Sequence, residues 1–398
     1  MTRMEGNAAS PKGFQAAGIH CGVKPEKPDL ALLFSEVPAA AAGVFTTNRV
    51  KAAPVKYSQR AVASGRAQAI VVNSGNANAC TGEPGLTDAA EMARIAGEAL
   101  GLDVGLVLVA STGVIGVPLP MDAIRRGIPR AAADLSAEGG SAAAEAIRTT
   151  DRFAKTCAVQ LEIDGVEVTI GGMAKGAGMI HPNLATTLCF VTTDAALPSA
   201  VLRRALTRAV GGSFNSITVD GDTSTNDTVL ALANGRASGP SITNGESLSR
   251  FTAGLTAVAS ELARMVVRDG EGATKLVSIT VDGALSDAEA HQAAMTVANS
   301  LLVKTALHGA EPNWGRILAA LGRSGVEMAE ETTDVSFGGV AVVRGGLGVP
   351  GVWDDAAATL EEKEIAIRIG LGLGTGNACV WTSDLSEEYV RINGSYTT

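Results

Sequence analysis

The sequence has 398 residues, of which 46% are hydrophobic and 18% charged, with 47 glycines and a formal net charge of −9. That composition excludes a disordered chain, which would be rich in charge and poor in apolar residues. The acidic balance argues against a nucleic-acid partner, because phosphate neutralisation needs clustered Lys and Arg.

A mean hydropathy of +0.21 raises the question of a membrane. The longest uncharged stretch, Val104 to Met121, contains Gly105, Gly113, Gly116, Pro118 and Pro120. It is a poor bilayer span, which needs about 20 predominantly apolar residues with the backbone paired internally. The first residues, Met1-Thr-Arg-Met-Glu-Gly-Asn7, lack the apolar core of a signal peptide. The cysteines (Cys21, Cys80, Cys157, Cys189, Cys379) show no C-x-x-C spacing and fit neither a disulfide framework nor a zinc cluster. A soluble cytoplasmic protein with no membrane partner and no metal is expected.

In chain order, apolar runs predict strands at Ala67–Val72, Leu106–Ala110, Val166–Ile170, Thr187–Val191, Lys275–Val281, Val335–Val343 and Ile365–Gly370. Thr87 or Asp88 is placed to cap a helix running to Leu100, and Ser286 one running towards Lys304. The longest helical pattern, Glu246 to Asp269, carries Leu248, Phe251, Leu255, Val258, Leu262 and Met265 along one stripe. Strand pairs and helix blocks are mixed without strict βαβ alternation, so the expected class is layered α+β. A new helix–strand set follows Asp282-Gly-Ala-Leu-Ser-Asp287, which predicts domains at 1–282 and 283–398.

Several segments carry candidate chemistry. Gly172-Met-Ala-Lys175-Gly-Ala-Gly-Met-Ile-His181-Pro-Asn-Leu-Ala185-Thr186-Thr187 is a glycine-rich, lysine-bearing loop that ends in hydroxyl residues at the mouth of an apolar strand. Glycine permits close backbone approach, lysine can fix an anion, and a hydroxyl held there can act as a nucleophile. The bland reading is a loop before a buried strand. A phosphate loop is rejected, because the order is Lys-Gly and a strand follows where a helix is required. Leu106-Val-Leu-Val-Ala-Ser111-Thr112-Gly113 ends a strand in groups able to cradle an oxyanion, or is an ordinary strand–turn.

Asn73-Ser-Gly-Asn76-Ala-Asn78 reads as a structural turn. Arg268-Asp-Gly-Glu271-Gly is an acidic loop whose carboxylate is either solvated or turned inward by its glycines. Trp314, in a polar, turn-rich run, is either a functional surface or a packing anchor. Gly370-Leu-Gly-Leu-Gly-Thr-Gly376 precedes a strand-like run, so no helix N-terminus is available for a dinucleotide. His20, His181, His291 and His308 are scattered, and no Gly-x-Ser-x-Gly elbow occurs. An acyl-transfer base here need not be histidine, since a threonine with a free α-amine (pKa ~7.7–8.0) carries its own.

Taken together, these segments resemble the glutamate N-acetyltransferase (ornithine acetyltransferase) family of arginine biosynthesis. The residues around Thr186 look like its self-cleavage site. Asn48-Arg-Val-Lys-Ala-Ala-Pro54, Asn73-Ser-Gly-Asn-Ala-Asn78, Ser111-Thr-Gly-Val-Ile-Gly116, Thr149-Thr-Asp151, Asp220-Gly-Asp-Thr-Ser-Thr-Asn-Asp227, Asp269-Gly-Glu-Gly-Ala-Thr-Lys275, Pro312-Asn-Trp-Gly-Arg316 and Asn393-Gly-Ser-Tyr-Thr-Thr398 follow in family order.

The resemblance implies a layered α-β-β-α sandwich with a smaller C-terminal α/β domain. It also implies self-cleavage between Ala185 and Thr186 into chains 1–185 and 186–398, and an α2β2 assembly. Thr186 then accepts the acetyl group of N2-acetyl-L-ornithine and passes it to L-glutamate. Thr112 and Gly113 match the oxyanion stabilisers; Thr150, Lys175, Thr186, Glu271, Asn393 and Thr398 match substrate-binding positions. No cofactor is implied. Some family members also take acetyl-coenzyme A as a substrate, and the sequence is compatible with either branch.

Three positions depart from the pattern. His181 stands where a small residue is usual, and Leu184 and Thr187 replace methionines. His181 either perturbs local protonation or is a solvent-facing loop residue. The competing readings are an N-terminal-nucleophile aminopeptidase or amidase, which passes the acyl group to water, and a non-cleaving binding or regulatory protein on the same scaffold.

Overall fold

The computed structural model describes residues 1–181 and 187–395. Leu184, Ala185, Thr186 and Thr398 lie outside the described residues. The fold is mixed α+β, with a nine-stranded and a seven-stranded sheet among the described residues.

The nine-stranded sheet doubles back on itself, and strand alternation explains the layers. In Arg66–Asn76 and Val107–Val114, Ala69, Val71, Val107 and Val109 pack under the helices Gly82–Leu100 and Met121–Ala133. Their neighbours Ile70, Val72, Leu108 and Ala110 face the other way. There they meet Met173, Leu188, Phe190, Leu230 and Leu232 of the strands Val166–Lys175, Leu188–Thr193 and Thr228–Ala233. The far side of those strands, with Ile170, Cys189, Val191, Val229 and Ala231, packs under the helices Ser199–Gly211 and Gly245–Arg268. The order of layers is therefore helix, strand, strand, helix.

One strand joins the two halves. Leu30–Phe45 is 16 residues long; Leu30 to Ser35 pair with Phe14–Ile19, and Ala40 to Phe45 pair with Thr228–Ala233. The register on Arg66–Asn76 shifts between Phe34 and Ala39. Pro38, which has no N–H to give a ladder, sits within that irregularity.

The stripe read on the long helix is the core-facing one: Phe251, Leu255, Val258 and Leu262 are buried, and Leu248 and Met265 pack at its edge. Leu262 also approaches Gly172, where a Cβ would lie 2.9 Å from Leu262 Cδ1. Leu262→Ala is expected to cost about 2–5 kcal/mol, the range for a large-to-small change in a packed core, read as a lowered urea midpoint.

The seven-stranded sheet has Leu276–Ala284 in parallel with Glu364–Gly370 on one side and antiparallel to Gly376–Ser383 on the other. Residue 283 lies inside the first of these strands. The sheet also takes in Ile217–Thr218, which pairs with Gly376–Ser383. Helices Asp287–Ala298, Leu301–His308, Trp314–Gly322 and Trp353–Leu360 contribute to its core.

Three local expectations change. Val335–Val343 is a hairpin of Asp334–Phe337 and Val340–Arg344, turned by Gly338 (φ 54°) and Gly339 (φ 92°), the left-handed pair that a two-residue turn requires. The helix capped by Ser286 stops at Ala298, because Asn299 caps its end, donating to the Met295 carbonyl, and Ser300 turns extended. The helix reaching Leu100 begins at Gly82, before Thr87, because Pro84 lies in its first turn, where its missing N–H costs nothing.

Candidate active site

A cavity of about 290 Å³ opens where the two strand layers meet the loops after the long helix and the C-terminal helix Glu387–Ser395. Thr112, Gly113, Thr150, Lys175, Glu271 and Asn393 all line it.

Thr112 and Gly113 end strand Val107–Val114 in parallel register with Ser74 and Gly75. Gly113 has φ 135°, and a Cβ there would lie 2.3 Å from the Gly75 carbonyl carbon and 2.5 Å from Asn76 N. The position therefore excludes every side chain. The asparagine turn beside it is structural. Asn73 Nδ2 donates to Asn76 O at 2.9 Å, and Asn76 Nδ2 donates to Val117 O and Pro118 O, each at 3.0 Å.

Lys175 closes strand Val166–Lys175 with its side chain buried, and its Nζ donates to Thr112 Oγ1 at 3.3 Å. Burial pushes its ammonium pKa below the ordinary lysine value, against the pull of Asp151, Asp227 and Glu271. The strand then yields to Gly176-Ala177-Gly178, and the bare Gly178 lets Glu271 approach. A Cβ on Gly178 would sit 2.4 Å from Glu271 Oε2. Glu271 N donates to Ala177 O at 2.8 Å, and Asn393 Nδ2 donates to Glu271 Oε2 at 2.8 Å. The Glu271 carboxylate is thus turned inward between a glycine loop and the last helix.

The cavity also holds residues not selected from the sequence. Asp227 is buried with no partner for Oδ2 among the described residues, and burial raises its carboxyl well above the ordinary range. Thr187 is buried, and its Oγ1 likewise has no partner among the described residues. Asp220 accepts from Met179 N at 2.7 Å and Ile180 N at 2.9 Å, fixing the end of the glycine loop. Tyr389 from the last helix completes that wall, its phenol pKa raised by burial and by Asp220 and Glu271.

Behind the cavity, Lys155 is completely buried and bonded to Asp151 and Asp269, at 2.6 Å each. A signal was present in the sequence. Lys155 shares its strand face with Cys157, Val159, Leu161 and Ile163, and a lysine on a buried face needs partners.

His181 is not among the residues lining the cavity. It is half-buried, with Nδ1 3.3 Å from Thr218 Oγ1 and 3.4 Å from Asn299 Nδ2, and burial lowers its pKa. Trp314 is a packing anchor. It leans on the core of the seven-stranded sheet, and a Cβ on Gly348 would come within 2.6 Å of its ring.

Chemically, the cavity combines a buried ammonium, an inward carboxylate, a hydroxyl and a bare strand end. That set suits a small zwitterionic molecule with both carboxylate and amine groups.

A model of the ArgJ family matches residues 15–398. An "Arginine biosynthesis bifunctional protein ArgJ" of Symbiobacterium thermophilum is 54% identical over the full length of both chains. A protein of the same name from Gloeobacter violaceus is 50% identical, over 99% of this chain and 98% of its own. A solved ornithine acetyltransferase from Mycobacterium tuberculosis, complexed with ornithine, is 43% identical; the match covers 46% of this chain and 99% of that one, with a TM-score of 0.45.

Proposed function

The chain belongs to the ArgJ family, and from that premise we propose that it is an N-acyltransferase of arginine biosynthesis. It moves the acetyl group of N2-acetyl-L-ornithine to L-glutamate, giving L-ornithine and N-acetyl-L-glutamate. The observation that carries the reading is convergence: Thr112, Gly113, Thr150, Lys175, Glu271 and Asn393 come from widely separated segments and share one cavity.

In this proposal the chain first cuts itself. The Thr186 hydroxyl attacks the Ala185 carbonyl, the acyl group shifts from nitrogen to oxygen, and water releases residues 1–185. The freed α-amine takes the proton of the same hydroxyl, which attacks the acetyl carbonyl of acetyl-ornithine. Donors at Thr112 and Gly113 stabilise the oxyanion, and the acetyl group stays on Thr186 as ornithine leaves. Glutamate then attacks the ester and restores the hydroxyl. Lys175 holds a substrate carboxylate and Glu271 an amine, a division that follows from their charges. Thr150, Asn393 and Thr398 complete substrate binding. The reaction needs no cofactor. The working assembly is a cytoplasmic α2β2 heterotetramer, and among the described residues no helix is long and apolar enough to cross a membrane.

The test is acetyl-ornithine with and without glutamate. Ornithine release should require glutamate and match N-acetylglutamate formed; release at the same rate without glutamate would mark an amidase instead. The word "bifunctional" in the relatives' names supports a second activity. Glutamate with acetyl-coenzyme A is expected to yield N-acetylglutamate, and no product above the enzyme-free rate would restrict the chain to recycling.

A further inference from the structure

Three walls of the cavity are tied to one buried ammonium group that the proposed chemistry does not use. Lys155 Nζ donates to Asp151 Oδ1 and Asp269 Oδ2 at 2.6 Å each, and lies 4.9 Å from the centre of the Phe153 ring. Asp151 is itself a junction. Its Oδ1 also accepts from Gly176 N at 2.7 Å, and its Oδ2 accepts from Thr149 N at 2.9 Å. Asp269, two residues before Glu271, accepts from Arg152 N at 3.0 Å and Arg152 Nε at 2.9 Å.

Lys155 carries one positive charge against two buried carboxylates, and Arg152 also meets Asp269, so each carboxylate already has a bonded cation without Lys175. Yet Lys175 is a second buried cation, and its one hydrogen bond among the described residues is to a neutral hydroxyl, Thr112. The ionisable groups acting on it are Asp151, Lys155, Asp227 and Glu271, with Lys24 interacting more weakly from the loop before strand Leu30–Phe45. Burial alone would raise the Asp151 carboxyl; Lys175 and Lys155 overcome that and hold it well below the ordinary range. Asp151 is thus the ionised counter-charge of Lys175, although its oxygens are bonded to other groups.

We propose that Asp151, pinned by Lys155, is a positioning residue that keeps Lys175 charged and leaves the ammonium hydrogens not given to Thr112 for a substrate carboxylate. A direct Asp151–Lys175 bond would occupy those hydrogens, whereas a counter-charge spent on Lys155, Gly176 and Thr149 does not. The inference rests on the reading above that Lys175 takes a substrate carboxylate.

The test measures KM for glutamate against pH on the matured full chain, in the acetyl-ornithine reaction. Lys175→Met comes first: an unchanged KM would refute the carboxylate reading and the inference built on it. With that reading intact, Asp151→Asn removes the charge and keeps the shape. Its KM should rise about tenfold or more at neutral pH, with kcat changed far less, since burial of an uncompensated charge shifts a lysine by one or more pKa units. The pH at which KM begins to climb should move down, because Lys175 then loses its proton earlier. Asp151→Glu, which restores the charge, should return that pH to the wild-type position. Asp269→Asn removes the other carboxylate charge on Lys155 and should leave it unmoved. Equal KM rises in Asp151→Asn and Asp269→Asn with no shift in pH would make the cluster merely structural and overturn the proposal. So would a profile for Asp151→Glu displaced downward from the wild-type position, a comparison that stands on the wild type alone should the asparagine variant fail to mature.

Discussion

Thr186→Ala is expected to give a single band near the full 40.2 kDa on a denaturing gel, where the wild type gives two shorter chains. Acetyl transfer should fall by about 10⁴-fold or more, the scale set by removing a nucleophile from a covalent mechanism. The two losses have one cause: the same hydroxyl opens the peptide bond and later carries the acetyl group. Thr186→Ser separates them from misfolding. It keeps a hydroxyl and an α-amine after cleavage, so it should still mature and turn over, though more slowly. Normal turnover by Thr186→Ala would end the assignment. An uncleaved wild-type chain that is fully active would end the self-cleavage and retain only the transfer.

The second large effect belongs to the strand end at Thr112 and Gly113. Thr112→Val preserves size and removes the hydroxyl, so kcat should drop about 10²–10³-fold, the usual weight of one oxyanion donor. KM should move less, because a donor aimed at developing charge acts mainly in the transition state. Lys175 also loses its bond to Oγ1, so part of the loss should appear in substrate affinity. Gly113→Ala should be at least as damaging and also less stable, since the new carbon would strike the backbone of Gly75 and Asn76. A kcat for Thr112→Val within a few-fold of wild type would remove the hydroxyl from the mechanism.

Much of the architecture was legible because it rests on periodicity. Phe251, Leu255, Val258 and Leu262 recur at helical spacing and are buried as a stripe, and the runs around Ile70 and Leu108 are strands buried on both faces. The doubled sheet was legible through the family resemblance and not through periodicity, because it depends on Leu30–Phe45 serving two pairings through an irregularity at Pro38, a long-range event with no local period. In the cavity, residues carried by motifs were readable: Thr112 and Gly113 at a strand end, Lys175 and Glu271 among glycines. Asp151, Lys155 and Asp269 were not selected, although Thr149-Thr-Asp and Arg268-Asp-Gly-Glu were both in view. Their role depends on a buried lysine joining a carboxylate four residues away to another more than a hundred residues on. The Oδ2 of Asp227, without a partner among the described residues, is equally invisible in sequence, since burial is a property of the fold.

The antiparallel pairing of Val166–Lys175 with Leu188–Thr193, from Ile170 opposite Thr193 to Lys175 opposite Leu188, has a practical consequence. A cut between residues 185 and 186 falls in the connection between two hydrogen-bonded neighbours, so the fragments would remain zipped edge to edge and share the cores on both faces of those strands. Thr112, Thr150 and Lys175 would then belong to one fragment and Glu271 and Asn393 to the other. Native gels and sizing columns would report an intact particle whether or not the bond is broken. Separating the fragments requires denaturant, and neither would keep a complete cavity once apart.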